Sequence, residues 1–370
     1  MKKLVIIGAN DFQNQLILKA KALGYETHVF AWRDGAVGEK TADYFYPISI
    51  VEKDAILEEC RRIQPDGICS IASDLAAITV NYVAEKLGLP CNATAFTGIQ
   101  TNKYAMRKAL SGAGIPCPKF IIADITTDLA NQLADFRFPV IVKPTDRSGS
   151  RNIMKLESLE GVAQAVAEAG KVSFEGKAIV EEFLTGEEYS METITYHGEH
   201  HFLAVTKKFT TGAPHFIETG HRQPSDLPPE TVEKARQMIF AALDALHVEN
   251  SAGHSEFRVN EAGEIRIIEI GARMGGDCIG SDLVQLSTGH DFVAMVIAVA
   301  CGDAPVIGEP EQYQAEIRFL FDNKDLKEFE QFRACCGDTI YRVSDFDMSN
   351  CGNVSDSSTR IGYYITTNRK

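Results

Sequence analysis

Apolar and polar positions switch between two periods at the start of the chain. Leu4-Val5-Ile6-Ile7 is an unbroken apolar run that closes at Gly8-Ala9-Asn10, and a helical pattern follows from about Phe12 to Leu23, stopped by Gly24. A short apolar run bounded by a turn reads as a buried strand, and the run after it as an amphipathic helix. Glu26 to Phe30 predicts a second strand and Ile68 to Ile71 another, after which Ser73-Asp74 opens a helix to Leu87. Strands alternating with helices predict a parallel sheet covered on its faces. This first unit ends near Pro90 to Thr97.

A helix around Lys103 to Leu110 leads into Gly112-Ala113-Gly114-Ile115-Pro116-Cys117-Pro118, whose Gly and Pro residues mark a linker. Short strands are predicted near 119–122, 139–143, 152–156 and 177–181, with helices near 126–134 and 158–169. Longer strands near 188–196 and 201–209 open a further unit. In the helix from about Glu230 to His247, Val232, Ala235, Ile239, Ala242, Leu243 and Leu246 follow a helical period. Two strands, a Gly-rich turn and two helices reach about Cys301, and strands near 315–321 and 361–366 form a small cap. The pattern predicts a mixed α/β and α+β fold with units at 1–98, 119–187, 188–302 and 303–370. Residues 99–118 join the first two as helix and linker.

Composition narrows the class. Of 370 residues, 45% are hydrophobic and 24% charged, as in ordinary globular proteins. A net charge of -14 argues against nonspecific binding to nucleic acid or a membrane surface, while leaving room for a locally positive cleft. The first apolar run is too short for a signal peptide, and no run approaches a membrane span. The nine cysteines are scattered, with no Cys-x-x-Cys pair and spacings wrong for zinc, so reduced thiols in the cytoplasm are expected.

The strongest chemical signal is His254-Ser255-Glu256-Phe257-Arg258-Val259-Asn260-Glu261-Ala262-Gly263-Glu264-Ile265-Arg266-Ile267-Ile268-Glu269. With Ala262-Gly263 as the centre of a two-residue hairpin turn, Glu256 sits directly opposite Glu269. Opposed residues have Cβ atoms about 5 Å apart, and like charges there want a proton or a cation between them. Mg²⁺, often held by one or two carboxylates plus substrate phosphates, suits the place. The alternative is an exposed hairpin with two harmless glutamates, against which the apolar Ile265, Ile267, Ile268 and Ile270 argue. A loop one residue longer would break the pairing. Arg273, in Ile270-Gly271-Ala272-Arg273-Met274-Gly275-Gly276, could bind a transferring phosphoryl group or a substrate carboxylate, or else pair with a surface acid.

Two further segments bear on phosphate and nucleotide. Lys143 ends the strand Val140-Ile141-Val142, where a cation is expensive unless it meets an anion. Asp146-Arg147-Ser148-Gly149-Ser150-Arg151-Asn152 follows, either an anion-cradling turn or an ordinary hairpin loop, and not a Walker loop. In Ala178-Ile179-Val180-Glu181-Glu182-Phe183-Leu184-Thr185-Gly186-Glu187-Glu188, an apolar strand runs into acids. Backbone groups there could read an adenine edge and Glu188 could accept ribose hydroxyls, or the acids could be a solvated edge. Asn10 and Asp74 follow strand ends, where ligands of parallel sheets bind. Gly8-Ala9-Asn10 is not a full dinucleotide fingerprint, which leaves an NAD-dependent oxidoreductase resting on the N-terminal segment alone.

Together these segments resemble the ATP-grasp superfamily over nearly the whole chain. Glu181-Glu182-Phe183-Leu184-Thr185-Gly186-Glu187-Glu188 looks like the nucleotide hinge of glycinamide ribonucleotide synthetases. Glu269-x3-Arg273 is similar to the pattern in bacterial L-amino acid ligases and carnosine-synthase-like enzymes. The resemblance implies a Rossmann-like unit, a lid subdomain, a catalytic lobe and a short cap. It implies ATP on Lys103, Lys143, Ser148, Gly149 and Ser150 and at the hinge Glu181, Glu182, Phe183, Leu184 and Glu188. Mg²⁺, with Mn²⁺ as a substitute, would lie on Glu256 and Glu269, with Arg273 and Lys143 catalytic. Glu218 and His221, in Pro214-His215-Phe216-Ile217-Glu218-Thr219-Gly220-His221, resemble a substrate-facing segment, though a plain polar loop reads equally well. Asn10, Asp74 and Arg273 complete the substrate candidates. Many family members have Asn two residues after the second magnesium Glu, and here that place is Gly271.

The implied reaction transfers the γ-phosphoryl group of ATP to a carboxylate and lets an amine displace phosphate, forming an amide. The partners expected are a small carboxylate and a small amine, with a homodimer as the usual assembly. The competing expectations are a carbamoyl-phosphate-synthase-like or purine-pathway ligase, and a regulatory protein that binds ATP without turnover.

Overall fold

The structure, a computed structural model, describes residues 1–149, 151–213 and 216–369. Four parallel strands form the N-terminal sheet: β1 (Lys3–Ile7), β2 (Glu26–Phe30), β3 (Tyr44–Tyr46) and β4 (Gly67–Cys69), in the order β3-β2-β1-β4. Leu4, Val5, Ile6 and Ile7 are all fully buried, as a strand covered on both faces requires. Asn10 caps the helix Asp11–Ala22 and Ser73 caps Asp74–Leu87, each accepting from backbone N–H groups of the first turn. The strand β3 and the helix Lys53–Ile63 were not anticipated from the residue pattern.

A small antiparallel sheet follows, made of β5 (Phe120–Ala123), β6 (Val140–Pro144), β7 (Met154–Leu156) and β8 (Ala178–Glu182) in the order β5-β8-β6-β7. The helix Val162–Val172 covers it, burying Val162, Ala165, Val166 and Ala169 against Val140, Val142 and Val180. The helix expected over 126–134 is reduced to Leu129–Gln132.

The large sheet has eight antiparallel strands in the order β13-β12-β9-β10-β11-β14-β16-β15. They are β9 (Glu187–Tyr196), β10 (Glu199–Thr210), β11 (Glu218–Gln223), β12 (Ser251–Val259), β13 (Ile265–Gly271), β14 (Ala315–Leu320), β15 (Ile340–Val343) and β16 (Gly362–Thr367). Alternation splits β9 and β12 cleanly. Tyr189, Met191 and Phe257 enter a core with Ile239, Ala242 and Leu243 of the helix Pro229–Ala245. On the other face, Ile194, Ala204 and Ala252 lie under the helix Phe292–Ala300 and the N-terminal unit. Further along that face the apolar cover ends, and polar side chains take over.

The hairpin of β12 and β13 departs from the expected turn. Val259 pairs with Ile265, and Asn260 N–H donates to Glu264 O at 3.1 Å, so the loop has three residues, with Gly263 at φ +75°. That is the longer loop that should have broken the pairing. Glu256 nevertheless pairs with Glu269, because a bulge between Glu256 and Phe257 leaves Ile268 unmatched and restores the register.

Ile239 is fully buried at the centre of its core. Ile239→Ala is expected to lower the unfolding free energy by about 2–5 kcal/mol, measured by denaturant titration.

Candidate active site

Between the small sheet and the polar end of the large one lies an open cleft. Its floor is the carboxylate pair. Glu269 Oε1 accepts from Lys103 Nζ at 2.8 Å, and Lys103 also donates to Arg147 O at 2.6 Å. Glu256 Oε1 accepts from Lys208 Nζ and, at 3.3 Å, from His254 Nε2. His254 Nδ1 meets the buried Glu192 at 2.7 Å, and Ser190 Oγ donates to the same Glu192 oxygen at 2.9 Å. Burial works against charging His254, but Glu192 and Glu256 outweigh it and bring its pKa up to about 9. Burial likewise opposes ionisation of Glu256, yet Lys208 and His254 hold its carboxyl well below the usual range.

Lys143 is almost wholly buried at the end of β6, and its anion is Glu181 Oε2 at 2.8 Å. Arg107, from the helix Lys103–Gly112, binds the other oxygen of Glu181 and donates to Ile268 O, the carbonyl of the bulge. Burial alone would raise the Glu181 pKa; Arg107 and Lys143 bring it down to about 2.

Phe183, Leu184, Ser148 and Gly149 line the cleft. Ser150 lies outside the described residues. Glu182 also lines it, but its Oε1 accepts from Arg137 N at 3.0 Å. Glu188 is engaged by Arg258 at 2.9 Å and Lys208 at 3.4 Å. Glu218 lines the cleft beside Lys208 and accepts from Ser357 Oγ of the C-terminal segment at 2.6 Å. Arg273 reaches the cleft and forms a bidentate pair with Asp74, at 2.7 and 3.2 Å.

Two candidates stand away from this wall. His221 is fully buried, with Nε2 3.4 Å from Asp277, and burial lowers its pKa. Asn10 Oδ1 accepts from Phe12 N and Gln13 N as the cap of its helix.

Sequence reasoning passed over Lys208, His254, Glu192, Arg107 and Arg258. The first three could have been found from alternation. Lys208 shares a face of β10 with the fully buried Thr206, and His254 precedes Glu256 by one period of two.

The carboxylates fit a hard cation that completes its shell with phosphate and water. Both Lys103 and Lys208 engage Oε1 of their partners. Among the described residues, no group of three or more His, Cys, Asp or Glu gathers as a metal site. No helix of the described residues is long and apolar enough to cross a membrane.

Residues 136–282 match the ATP-grasp domain family. D-alanine–D-alanine ligase B of Chromobacterium violaceum is 30% identical over 208 residues, 53% of this chain and 66% of that protein. Alanine–anticapsin ligase of Bacillus subtilis is 29% identical over 293 residues, 70% of this chain and 61% of that one. The chain spans less than two thirds of the length of these curated relatives. The crystal structure of an L-amino acid ligase from Bacillus licheniformis superposes with a TM-score of 0.85 at 22% identity, covering 100% of this chain and 94% of that one. The chain has the ATP-grasp fold.

Glu181→Gln leaves Arg107 and Lys143 as buried cations without their anion, and is expected to cost about 3–5 kcal/mol near neutral pH. The carboxylate's pKa is depressed, so its contribution is present above the ordinary value of 4.5 and fades as pH falls toward about 2. Melting temperatures of the wild type and Glu181→Gln should therefore converge below pH 4.5.

Proposed function

We propose that this ATP-grasp chain is an ADP-forming ligase that activates a small carboxylate as an acyl phosphate and joins it to an amine. The observation that carries the reading is the opposed pair Glu256 and Glu269 on the floor of a cleft also lined by Lys103, Lys143, Lys208 and Arg273. Such a floor suits a cation on a triphosphate, and such walls suit the phosphates themselves.

Lys143, aimed by Glu181, binds ATP phosphate oxygens. Lys208 and Arg273 sit where negative charge spreads over the transferring phosphoryl group, and they stabilise it from fixed positions. A magnesium ion on Glu256 and Glu269 supplies a Lewis acid for the phosphate oxygens when bound. The loop carrying Ser148 and Gly149 covers the nucleotide and keeps water from the acyl phosphate. Glu218 faces the substrate end, where a carboxylate suits an ammonium group. Cations for a carboxylate and an anion for an ammonium favour amino acids as substrates. The similarity to a D-alanine–D-alanine ligase and an alanine–anticapsin ligase supports the same class.

ADP release is measured across a panel of amino acids, other carboxylates and amines. Turnover that requires both a carboxylate and an amine is expected. ATP binding with no ADP under any pair would instead favour a regulatory protein, and dependence on carbonate or a phosphoribosylamine a purine-pathway or carbamoyl-phosphate-type ligase. Glu269→Ala should abolish turnover with its fold intact by circular dichroism. Lys208→Ala should lower kcat about 100- to 1000-fold, as loss of one fixed donor to a developing charge does.

A further inference from the structure

The segment after β13 packs into the N-terminal unit at the carboxyl ends of β1 and β4, the usual ligand crevice of a parallel sheet. Ala72 N–H donates to Met274 O at 3.1 Å, and Gln13 Nε2 donates to Ile71 O at 2.7 Å. Ala72 takes a left-handed φ of +60°, and its Cβ lies 3.4 Å from where a Cβ on Gly276 would stand. The crevice is thus filled by this chain's own Met274–Gly276 corner. The corner brings Asp74, in the first turn of its helix, onto Arg273.

The guanidinium is fixed on two sides. Asp74 takes Nε and Nη2 at 2.7 and 3.2 Å, and both side chains are mostly shielded, at 16% and 18% exposure. Its flat face covers Gly271. A Cβ on Gly271 would stand 3.0 Å from Arg273 Cζ and 3.2 Å from both Nε and Nη1. Gly271 lies two residues beyond Glu269 on the same strand, so a side chain there would project beside the Glu269 carboxylate. The Arg273 guanidinium occupies that space.

We infer that Asp74 is a positioning residue: it holds Arg273 flat over Gly271, and this fixed cation fills the space beside Glu269 from which a third side-chain ligand would reach a metal. The inference rests on the ligase reading. The N-terminal unit then acts on the neighbouring cleft through Asp74. It supplies the clamp for a charge there. The floor offers a divalent cation two carboxylates and a guanidinium that repels a second ion. One tightly held cation per bound nucleotide follows.

The test titrates Mn²⁺ into the full chain with a non-hydrolysable ATP analogue, read by electron paramagnetic resonance. Kinetics of wild type, Asp74→Asn, Gly271→Ala and the double variant are measured alongside. One tight Mn²⁺ per chain is expected. Each single variant should lower kcat about 10- to 100-fold, as loss of a supporting partner does, with little change in the KM for ATP. The double variant should be no worse than either single one, because both release the same guanidinium. Gly271→Ala keeps the test open should Asp74→Asn fail to fold. Two tight Mn²⁺ per chain, or unchanged kcat in Gly271→Ala, would overturn the inference and leave the ligase reading standing. No nucleotide-dependent Mn²⁺ site at all would overturn both.

Discussion

Two carboxylates face each other across neighbouring strands, and the surroundings of the cleft follow from that repulsion. At about 5 Å and an effective dielectric near 20, two like unit charges repel by roughly 3 kcal/mol. Set against a total stability of about 5–15 kcal/mol, that is too much to leave uncompensated. The chain answers with Lys103 on Glu269, and Lys208 and His254 on Glu256. Each of these cations needs its own support in a shielded place. Glu192 holds His254, while Glu188 and Glu218 flank Lys208. A single opposed pair thus propagates into a network reaching several strands.

The cations and their anions come from separate parts of the chain. Lys103 and Arg107 sit one turn apart on a helix before the small sheet, Lys143 and Glu181 on that sheet, and Lys208 on the large one. Asp74 comes from the N-terminal unit. Burying any of these groups alone would be costly, so each element brings a charge that only another element satisfies. Docking of the small sheet, linker helix and N-terminal unit onto the large sheet is therefore tied to the assembly of the cleft.

Much of this was legible in the residues because period and chemistry agreed. Buried runs such as Leu4 to Ile7, and the spacing of Ala235, Ile239 and Ala242, gave strand and helix directly. Lys143 was suspect for ending an apolar strand, and its partner Glu181 was among the residues singled out. What could not be read was pairing between distant segments. Nothing local in Arg107 tells that it binds Glu181 and a carbonyl of β13. Asn10, by contrast, stands just before a helical pattern, which is the sequence signal of the helix cap it forms. His221 reads as a polar strand residue, and its full burial depends on strands and a C-terminal segment far along the chain.

The hairpin shows where local reasoning reached the right pair by the wrong route. A three-residue loop sets a register in which Glu269 would oppose Ser255 and share the core face with Phe257. The bulge at Ile268 turns the strand over between Ile267 and Glu269, sending Ile267 and Ile270 into the core and the carboxylate into the cleft. The sequence carries the trace of this. Ile265 and Ile267 are two apart and Ile267 and Ile270 three apart, an interruption of the strand period that a simple hairpin does not produce. The carbonyl freed at the bulge is taken by Arg107, the same guanidinium that holds Glu181 and, through it, Lys143. The kink that aims Glu269 and the clamp that aims Lys143 therefore share one buried arginine. A change at Arg107 acts on both sides of the cleft at once, although Arg107 is itself too deeply buried to reach far into it.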